Sequence, residues 1–377
     1  MKKVRFGIVG VGTQGRKYVK EIFNEGKVEN GELVAICDTD PRAIEITTGE
    51  LGFTGAVFTD YKEMIDSGVI DAVMIEVPHY SHPEMSIYAL EHGVHVLCEK
   101  PAGVYTKQVK EMNEVAKKSD KLFGLMFNQR TKALYCKMRE MILAGEIGEV
   151  KRINWIITDW FRSEYYYNAC DWRATWAGEG GGTLLNQCPH QLDLIQWIVD
   201  MSPKKVHAFC SFGKWHDIEV EDEVVAYMEY ENGATGVFVT TTSEAGGTNR
   251  LEVVGNNGKL VAEGKSLTFT KLAVGSREFS KTTDKQFGEP EKTITEVEVT
   301  GGYPAHAGII NNFANAVLGI EPLYVDGTEG IKGVELMDAM LLSTFLDRAV
   351  ELPIDDDLYL AELQKRIANS RPKGAKK

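Results

Sequence analysis

Three features are scarce or missing in this chain of 377 residues, and each absence excludes a class of protein. No stretch approaches the roughly 20 consecutive apolar residues of a membrane span. The six cysteines are scattered, without a Cys-x-x-Cys pair, which favours reduced cytoplasmic thiols over a disulfide framework or zinc site. The 42 lysines and arginines are outnumbered by 55 acidic residues, and a net charge of −13 argues against nucleic acid or an anionic membrane as partner. We therefore expect a soluble, cytoplasmic protein without a metal ion.

The order of apolar patterns predicts two domains. The chain is about twice the usual length of one domain. Strand and helix patterns alternate up to about residue 127, which is typical of a doubly wound parallel sheet. Beyond 150, alternating apolar runs separated by turn signals indicate a large, open, mostly antiparallel sheet; they lie at 150–159, 205–212, 223–230, 234–242 and 250–254. We predict an N-terminal domain over 1–127 and a C-terminal α/β domain over 128–377.

The end of the chain carries two further predictions. Helical patterns at 305–318 and 328–350 are expected to pack between the two domains or back on the first. The tail from about residue 368, which ends in Arg371-Pro372-Lys373-Gly374-Ala375-Lys376-Lys377, is expected to be disordered.

A glycine motif follows the first predicted strand. Val4–Val9 is apolar, Gly10-x-Gly12-x-x-Gly15 comes next, and the following residues have helical spacing. In a dinucleotide-binding turn, the first glycine permits the tight turn, the second lets the backbone approach a pyrophosphate, and the third lets helix and strand pack closely. We therefore predict contacts of this turn with the cofactor, including those of Thr13 and Gln14. The alternative is a glycine turn that binds no nucleotide.

Asp38 ends the second predicted strand, 23 residues after Gly15. An acidic side chain there can accept hydrogen bonds from the adenosine ribose hydroxyls and would repel a 2′-phosphate. Thr39 follows it, and the nearest cation is Arg42. The sequence therefore favours NAD over NADP as the cofactor.

Two more segments follow predicted strands. Strand 70–77 leads into Pro78, His79 and His82, and strand 94–98 leads into Glu99-Lys100-Pro101. Loops at the carboxyl ends of parallel strands line the ligand crevice of such a sheet. We expect Glu99 and Lys100 to lie against the cofactor, with the Lys100 amine directed at an alcohol or ketone.

Aromatic residues are concentrated in one part of the C-terminal domain. Four of the six tryptophans lie within 155–176, among tyrosines and arginines. Such a group can line a pocket for a hydroxylated ring, or it can form a subunit contact. The candidate substrate-binding residues are Arg130, Arg162, Tyr165, Trp172, Arg173, Trp176 and Tyr303.

Three glycines, Gly180-Gly181-Gly182, lead to a possible catalytic helix. On a helix Asn186, His190 and Asp193 would share one face. Pro189 predicts instead that the helix begins near it, so Asn186 could be an N-cap that accepts from the Cys188 N–H. His190 is either a packed core residue or an acid/base, since its ordinary pKa near 6.5 suits proton transfer.

These motifs together, Gly10-x-Gly12-x-x-Gly15, Asp38, Glu99-Lys100-Pro101 and the glycines leading to His190, resemble the Gfo/Idh/MocA family of sugar and cyclitol oxidoreductases. The resemblance extends to about residue 355. It implies a Rossmann domain, a C-terminal α/β domain with a large open sheet, and dimers or tetramers formed through that sheet. It also implies that Lys100 hydrogen-bonds the reacting oxygen, that His190 takes its proton, and that Pro78, His79 and His82 approach the nicotinamide.

One position departs from the family pattern, because Asn186 stands where the family usually has aspartate. Asparagine recognises a hydroxyl but supplies no charge to strengthen a base. The sequence Asn186-Gln187-Cys188-Pro189-His190 resembles that of a subgroup of the family that oxidises glucosides at the ring 3-position.

The expected function is hydride transfer between NAD and a secondary ring hydroxyl of a sugar, glycoside or cyclitol, with Lys100, His190 and Asn186 as catalytic residues. Two alternatives stay open. One is an enzyme that keeps NAD bound and cleaves a glycoside without net redox change. The other is a non-catalytic, NAD-dependent sugar sensor.

Overall fold

The computed structural model describes residues 3–370, which divide into two compact units. The first contains the described residues up to Asn128 together with Pro304–Val334, and the second contains Gln129–Tyr303 together with the described residues from Glu335 onward. Most of the tail predicted to be disordered, residues 371–377, lies outside the described residues. The described part before it is a helix that ends at Ala368.

The first unit is built on a parallel sheet of six strands in the order β3-β2-β1-β4-β5-β6. The strands are β1 Val4–Val9, β2 Gly31–Cys37, β3 Ala56–Phe58, β4 Ala72–Ile75, β5 His95–Cys98 and β6 Phe123–Leu125. All neighbouring pairs run parallel. Strand order reverses between β1 and β4, the position where a doubly wound sheet opens a ligand crevice. The predicted Rossmann architecture is confirmed.

Five helices connect these strands: α1 Thr13–Tyr18, α2 Pro41–Glu45, α3 Tyr61–Asp66, α4 Ser81–Glu91 and α5 Thr106–Lys118. Helix α1 begins directly after Gly12 and continues into a π-helical turn over Val19–Phe23. Asp40 and Asp60 cap α2 and α3, because each carboxylate accepts a hydrogen bond from a backbone N–H of the first helical turn.

The second unit is built on a sheet of nine strands in the order β14-β13-β12-β11-β7-β10-β9-β8-β15. They are β7 Val150–Ile157, β8 Lys205–Phe212, β9 Glu221–Glu229, β10 Thr235–Thr241, β11 Asn249–Gly255, β12 Gly258–Glu263, β13 Ser266–Leu272, β14 Lys292–Val297 and β15 Val350–Glu351. Only the pair β7 and β10 runs parallel. The predicted large, mostly antiparallel sheet is confirmed.

The remaining helices are α6 Ala133–Leu143, α7 Glu164–Asn168, α8 Thr183–Asn186, α9 Pro189–Trp197, α10 Ser276–Thr282, α11 Ala305–Val317, α12 Gly330–Leu346 and α13 Asp356–Ala368. Helix α11 belongs to the first unit, where the Asn311 side chain donates to the Lys27 carbonyl at 2.6 Å and Phe313 packs near Phe6. The first unit therefore takes in a segment that the sequence boundary placed in the second domain. None of the helices within 3–370 has the length and apolarity to cross a bilayer.

Candidate active site

The three glycines of the first turn differ in what surrounds them. Gly10 has φ +91°, and a Cβ there would lie 2.4 Å from the Glu76 carbonyl oxygen. A Cβ on Gly15 would lie 2.0 Å from the Gly10 carbonyl oxygen, whereas a Cβ on Gly12 would meet nothing within 4 Å. Gly10 and Gly15 therefore allow close backbone packing, and Gly12 leaves the open space through which a pyrophosphate can approach the backbone.

Asp38 lies against this turn from the end of β2. Its Oδ2 accepts from the Val11 N–H at 2.8 Å and its Oδ1 from the Asp40 N–H at 2.9 Å. Thr39, the next residue, and Thr13 are both exposed. The carboxylate is thus fixed next to the glycine turn, where a dinucleotide's adenosine ribose binds in this class of sheet.

The ends of β4 and β5 bring two carboxyl groups together with Lys100. Glu76 follows β4, Glu99 follows β5, and the two strands pair in parallel. The Tyr18 hydroxyl donates to Glu99 Oε1, and the Lys100 N–H donates to Glu99 Oε2 at 3.0 Å. These strands form the second half of the doubly wound sheet, and in a dinucleotide-binding domain that half contacts the second mononucleotide.

The surroundings of Glu76 and Glu99 raise the pKa of both carboxyl groups. Burial raises the pKa of Glu76, the charge of Glu99 raises it further, and the Lys100 ammonium opposes the rise. Burial likewise raises the pKa of Glu99, while Lys100 and the Tyr18 hydroxyl oppose the rise. Neither carboxyl oxygen of Glu76 has a hydrogen-bond partner among residues 3–370. Glu76 was missed from the sequence, where its only signal is its position directly after a buried strand.

His306 is a second residue of this region that sequence reasoning missed. It belongs to α11, and its ring packs edge-on against the Tyr18 ring at 5.5 Å between centroids. Burial lowers the pKa of His306 to about 4, and the positive charges of Lys17 and Lys100 lower it as well. The imidazole is therefore neutral at physiological pH.

His82 ties together the two segments that follow β4 and β5. Its Nδ1 lies 2.7 Å from the Pro101 carbonyl oxygen and its Nε2 lies 2.8 Å from the Val77 carbonyl oxygen. His79 is also buried, with its ring 5.7 Å from that of His82, whereas Pro78 is exposed. His82 thus fixes the backbone next to Lys100.

In the second unit, the glycine segment leads into two short helices. Helix α9 begins at Pro189, as the proline predicts, and His190 lies in its first turn, largely buried. The alternative in which Asn186 caps this helix is wrong. Cys188 occupies the N-cap position, and its N–H donates to the Thr183 carbonyl oxygen at 2.9 Å.

Glu221 on β9 holds the start of α8. Its Oε2 accepts from the Gly182 N–H and its Oε1 from the Leu184 N–H, both at 2.9 Å. Burial raises the pKa of Glu221 to about 7, although these two hydrogen bonds lower it. This residue fixes the start of the segment that carries Asn186 and His190, and no local pattern in the sequence points to it.

The aromatic block forms a cluster of arginines around Tyr166. The guanidinium carbons of Arg173 and Arg162 lie 4.3 and 5.2 Å from the centre of its ring. Arg173 also lies over Trp172 and donates to the Tyr166 carbonyl at 2.9 Å. Tyr165, next in sequence, is 86% exposed. Cationic donors and aromatic faces therefore share one surface of the second unit.

Three other candidate substrate residues lie elsewhere in this unit. Arg130 and Asp193 form a buried bidentate ion pair, with nitrogen–oxygen distances of 2.8 and 2.6 Å. Trp176 is buried against two phenylalanine rings. Tyr303 is partly exposed, with the Lys132 ammonium 5.6 Å from its ring centre. Arg130 and Trp176 are therefore buried structural residues, and of these three candidates only Tyr303 has an exposed side chain.

Two family descriptions match the chain. Residues 4–127 match the oxidoreductase family with an NAD-binding Rossmann fold, and residues 135–261 match the GFO/IDH/MocA C-terminal domain. The chain belongs to the Gfo/Idh/MocA family of oxidoreductases, and its first unit carries the NAD-binding Rossmann domain. The resemblance drawn from the motifs is confirmed.

Individual relatives act on sugars and sugar derivatives. The chain is 26% identical over 262 residues to 1,5-anhydro-D-fructose reductase of Ensifer adhaerens, covering 68% of this chain and 75% of that protein. It is 29% identical over 230 residues to D-glucoside 3-dehydrogenase of Escherichia coli K12, covering 57% and 63%. The structure of WlbA dehydrogenase from Bordetella pertussis, in complex with NADH and UDP-GlcNAcA, matches with a TM-score of 0.78 at 25% identity, covering 94% of this chain and 100% of that one.

Proposed function

We propose that this oxidoreductase is an NAD-dependent dehydrogenase acting on a secondary ring hydroxyl of a sugar, glycoside or cyclitol, with the 3-position of a glucoside as the leading candidate. The observation that carries the proposal is the position of Lys100, directly after β5 in the nicotinamide half of the Rossmann sheet. The names of the relatives, which include a D-glucoside 3-dehydrogenase, support the substrate class.

The proposed cofactor is NAD and not NADP. Asp38 places a carboxylate beside the glycine turn, where it can accept from ribose hydroxyls and would repel a 2′-phosphate. When bound, NAD accepts the hydride that leaves the carbon of the reacting alcohol. Gly10, Gly12, Thr13, Gln14 and Gly15 would hold its phosphates, and Thr39, Pro78, His79, His82 and Glu99 complete the proposed cofactor site.

Two side chains carry the proposed proton and charge chemistry. The Lys100 ammonium donates to the substrate oxygen and stabilises the alkoxide that develops there, an effect that is strong in a water-excluded site. His190 accepts the hydroxyl proton, which moves from the substrate oxygen to an imidazole nitrogen.

The rest of the proposed substrate site lies in the second unit. Asn186 recognises a hydroxyl beside the reacting one, and Arg162, Tyr165, Trp172, Arg173 and Tyr303 contribute donors and aromatic faces for the ring. Arg130 and Trp176, named as candidates on the sequence, are left out because both are committed to buried packing.

We also propose that the protein is a homo-oligomer, a dimer or tetramer, formed through the large sheet. Phe209, Val225 and Tyr227 are exposed on one face of this sheet, and Phe209 and Val225 are cross-strand neighbours. Exposed apolar patches of this kind mark protein–protein contacts. Light scattering on the purified protein measures the state, and a monomer at micromolar concentration would contradict it.

The test of the reaction is a screen for NADH formation with monosaccharides, inositols, and aryl or alkyl glucosides. With the best substrate, Lys100→Met is expected to lower kcat by about 10²–10⁴-fold, the usual contribution of a positioned acid/base or charge, while NADH binding measured by fluorescence persists. Lys117→Met, at an exposed lysine of α5, is the matched control and should match wild type.

Three outcomes would contradict the proposal. Wild-type turnover in Lys100→Met would remove the assigned role of the amine. Release of aglycone from glycosides without NADH accumulation would identify an enzyme that cleaves its substrate with no net redox change, and sugar binding without either product would identify a sensor.

A further inference from the structure

The amide of Asn186 is oriented by side chains from three other positions. Its Nδ2 donates to Glu179 Oε1. Its Oδ1 accepts from the Tyr166 hydroxyl and from Gln187 Nε2, each at 3.2 Å. Because an ionised carboxylate can only accept, the nitrogen of Asn186 faces Glu179 and the oxygen faces Tyr166.

Glu179 is itself held firmly. It is 1% exposed, and its second oxygen accepts from the Ala174 N–H at 2.5 Å. Its own N–H donates to the Thr175 carbonyl oxygen at 2.9 Å. Burying a carboxylate is costly unless hydrogen bonds satisfy it. One carboxylate oxygen of Glu179 accepts from the backbone, and the other accepts from the Asn186 side chain.

The charge of Glu179 acts on the same tyrosine as the arginine cluster does. Burial raises the pKa of Tyr166, the charge of Glu179 raises it further, and Arg173 and Arg162 lower it. Gln187 also donates to the Tyr166 hydroxyl oxygen at 3.2 Å. The buried anion, the amide and the phenol therefore form one connected polar network, which ends at the arginine-flanked ring.

We propose that Glu179 is a positioning residue for substrate recognition: it orients Asn186 so that the amide oxygen accepts the Tyr166 O–H, and the second lone pair of the Tyr166 oxygen then accepts from a sugar hydroxyl. It also supplies, behind Asn186, the negative charge that asparagine lacks. The proposal rests on the proposed function, since it names how the same site recognises its substrate. Tyr166 thereby becomes a substrate-binding residue, which the sequence candidates omitted.

A charge-swap experiment on stability needs no substrate. Asn186→Asp sets a second carboxylate against Glu179, and the thermal unfolding midpoint is expected to fall by roughly 4 °C or more, because two buried like charges cannot share one contact. The double variant Glu179→Gln/Asn186→Asp exchanges amide and carboxylate and restores the donor–acceptor pair, so its midpoint should return toward wild type. A double variant no more stable than Asn186→Asp would overturn the proposal.

A kinetic experiment tests the consequence for recognition. With a sugar identified by the NADH screen, Glu179→Gln should lower kcat/KM for the sugar by about 10- to 100-fold, the range of a lost charge-assisted hydrogen bond. KM for NAD should stay unchanged, because the glycine turn belongs to the other unit. In an Asn186→Ala background, Glu179→Gln should cause no further loss, since Glu179 acts through Asn186.

The failure of this inference is distinguishable from failure of the proposed function. If the wild-type enzyme turns over no compound of the panel, the proposed function is wrong. The charge-swap experiment still tests whether Glu179 holds the Asn186 side chain. If the wild type is active and Glu179→Gln retains its kcat/KM for the sugar, Glu179 does not position the site. Tyr166→Phe is the variant to compare with Glu179→Gln. It removes the other side-chain contact, the donor from Tyr166 to Asn186, and keeps the aromatic ring.

Discussion

Glu221 is a buried acid that titrates near neutral pH, so the stability of the second unit should depend on pH there. Its carboxylate accepts the Gly182 and Leu184 N–H groups at the start of α8. Burial raises its pKa from 4.5 to about 7, and the charge of Glu179 adds to the rise. The folded protein therefore binds the Glu221 proton more tightly than the unfolded chain does.

The sign and size of the effect follow from this difference. A raised folded-state pKa contributes stability that is fully present below about pH 4.5 and is lost as the pH rises through about 7. At 1.36 kcal/mol for each unit of pKa difference, the loss amounts to about 3 kcal/mol in the free energy of unfolding.

Urea unfolding of wild type and Glu221→Gln between pH 4.5 and 8 measures this loss. Glutamine is neutral throughout, so the stability of wild type minus that of the variant should fall by about 3 kcal/mol as the pH rises. Glu231→Gln, at a glutamate whose side chain is 83% exposed, should show no such trend. A difference that is constant across this range would refute a raised pKa at Glu221.

Two further predictions concern other charges. Asp193→Asn leaves the Arg130 guanidinium buried without its carboxylate partner, since both side chains are only 3% exposed. The free energy of unfolding measured in urea should therefore fall by about 3–5 kcal/mol. A loss no larger than that of Asp200→Asn, at an exposed aspartate, would contradict this. Asp38→Ser removes the charge that repels a 2′-phosphate, so fluorescence titration should show the affinity ratio of NADPH to NADH rising about tenfold or more. An unchanged ratio would show that Asp38 does not select the cofactor.

The two sheets were predictable because burial leaves a local pattern. Strands covered on both faces read as continuous apolar runs, as at 94–98, and half-covered strands alternate, as at 223–230. Strand β3, Ala56–Phe58, was missed because three residues are too few to show a period. The sequence left open whether the helix at 305–318 packs between the domains or back on the first, because the contacts that decide this, such as that of Asn311 with Lys27, leave no local pattern.

The site was predictable only where topology decides position. Lys100 and Glu99 could be placed because the end of a parallel strand defines the crevice. Glu76 was missed, because a single glutamate after a strand is indistinguishable from a solvated one until the fold sets it beside Glu99.

Asn186 shows that a local rule can suggest a contact that the fold does not form. Its spacing from Cys188 satisfies the capping rule, but in the structure Thr183 takes the Cys188 N–H and Glu179 takes the Asn186 amide. Local rules cannot rank such competing partners, because the choice depends on which groups the tertiary structure buries together.

The most direct test of the central claim is a crystal structure of the enzyme with NAD and a sugar that it oxidises. We predict that the ring hydroxyl oxygen at the oxidised position lies within about 3 Å of the Lys100 Nζ. A complex in which the Lys100 Nζ contacts a different hydroxyl, or lies beyond hydrogen-bond reach of the oxidised position, would contradict the account.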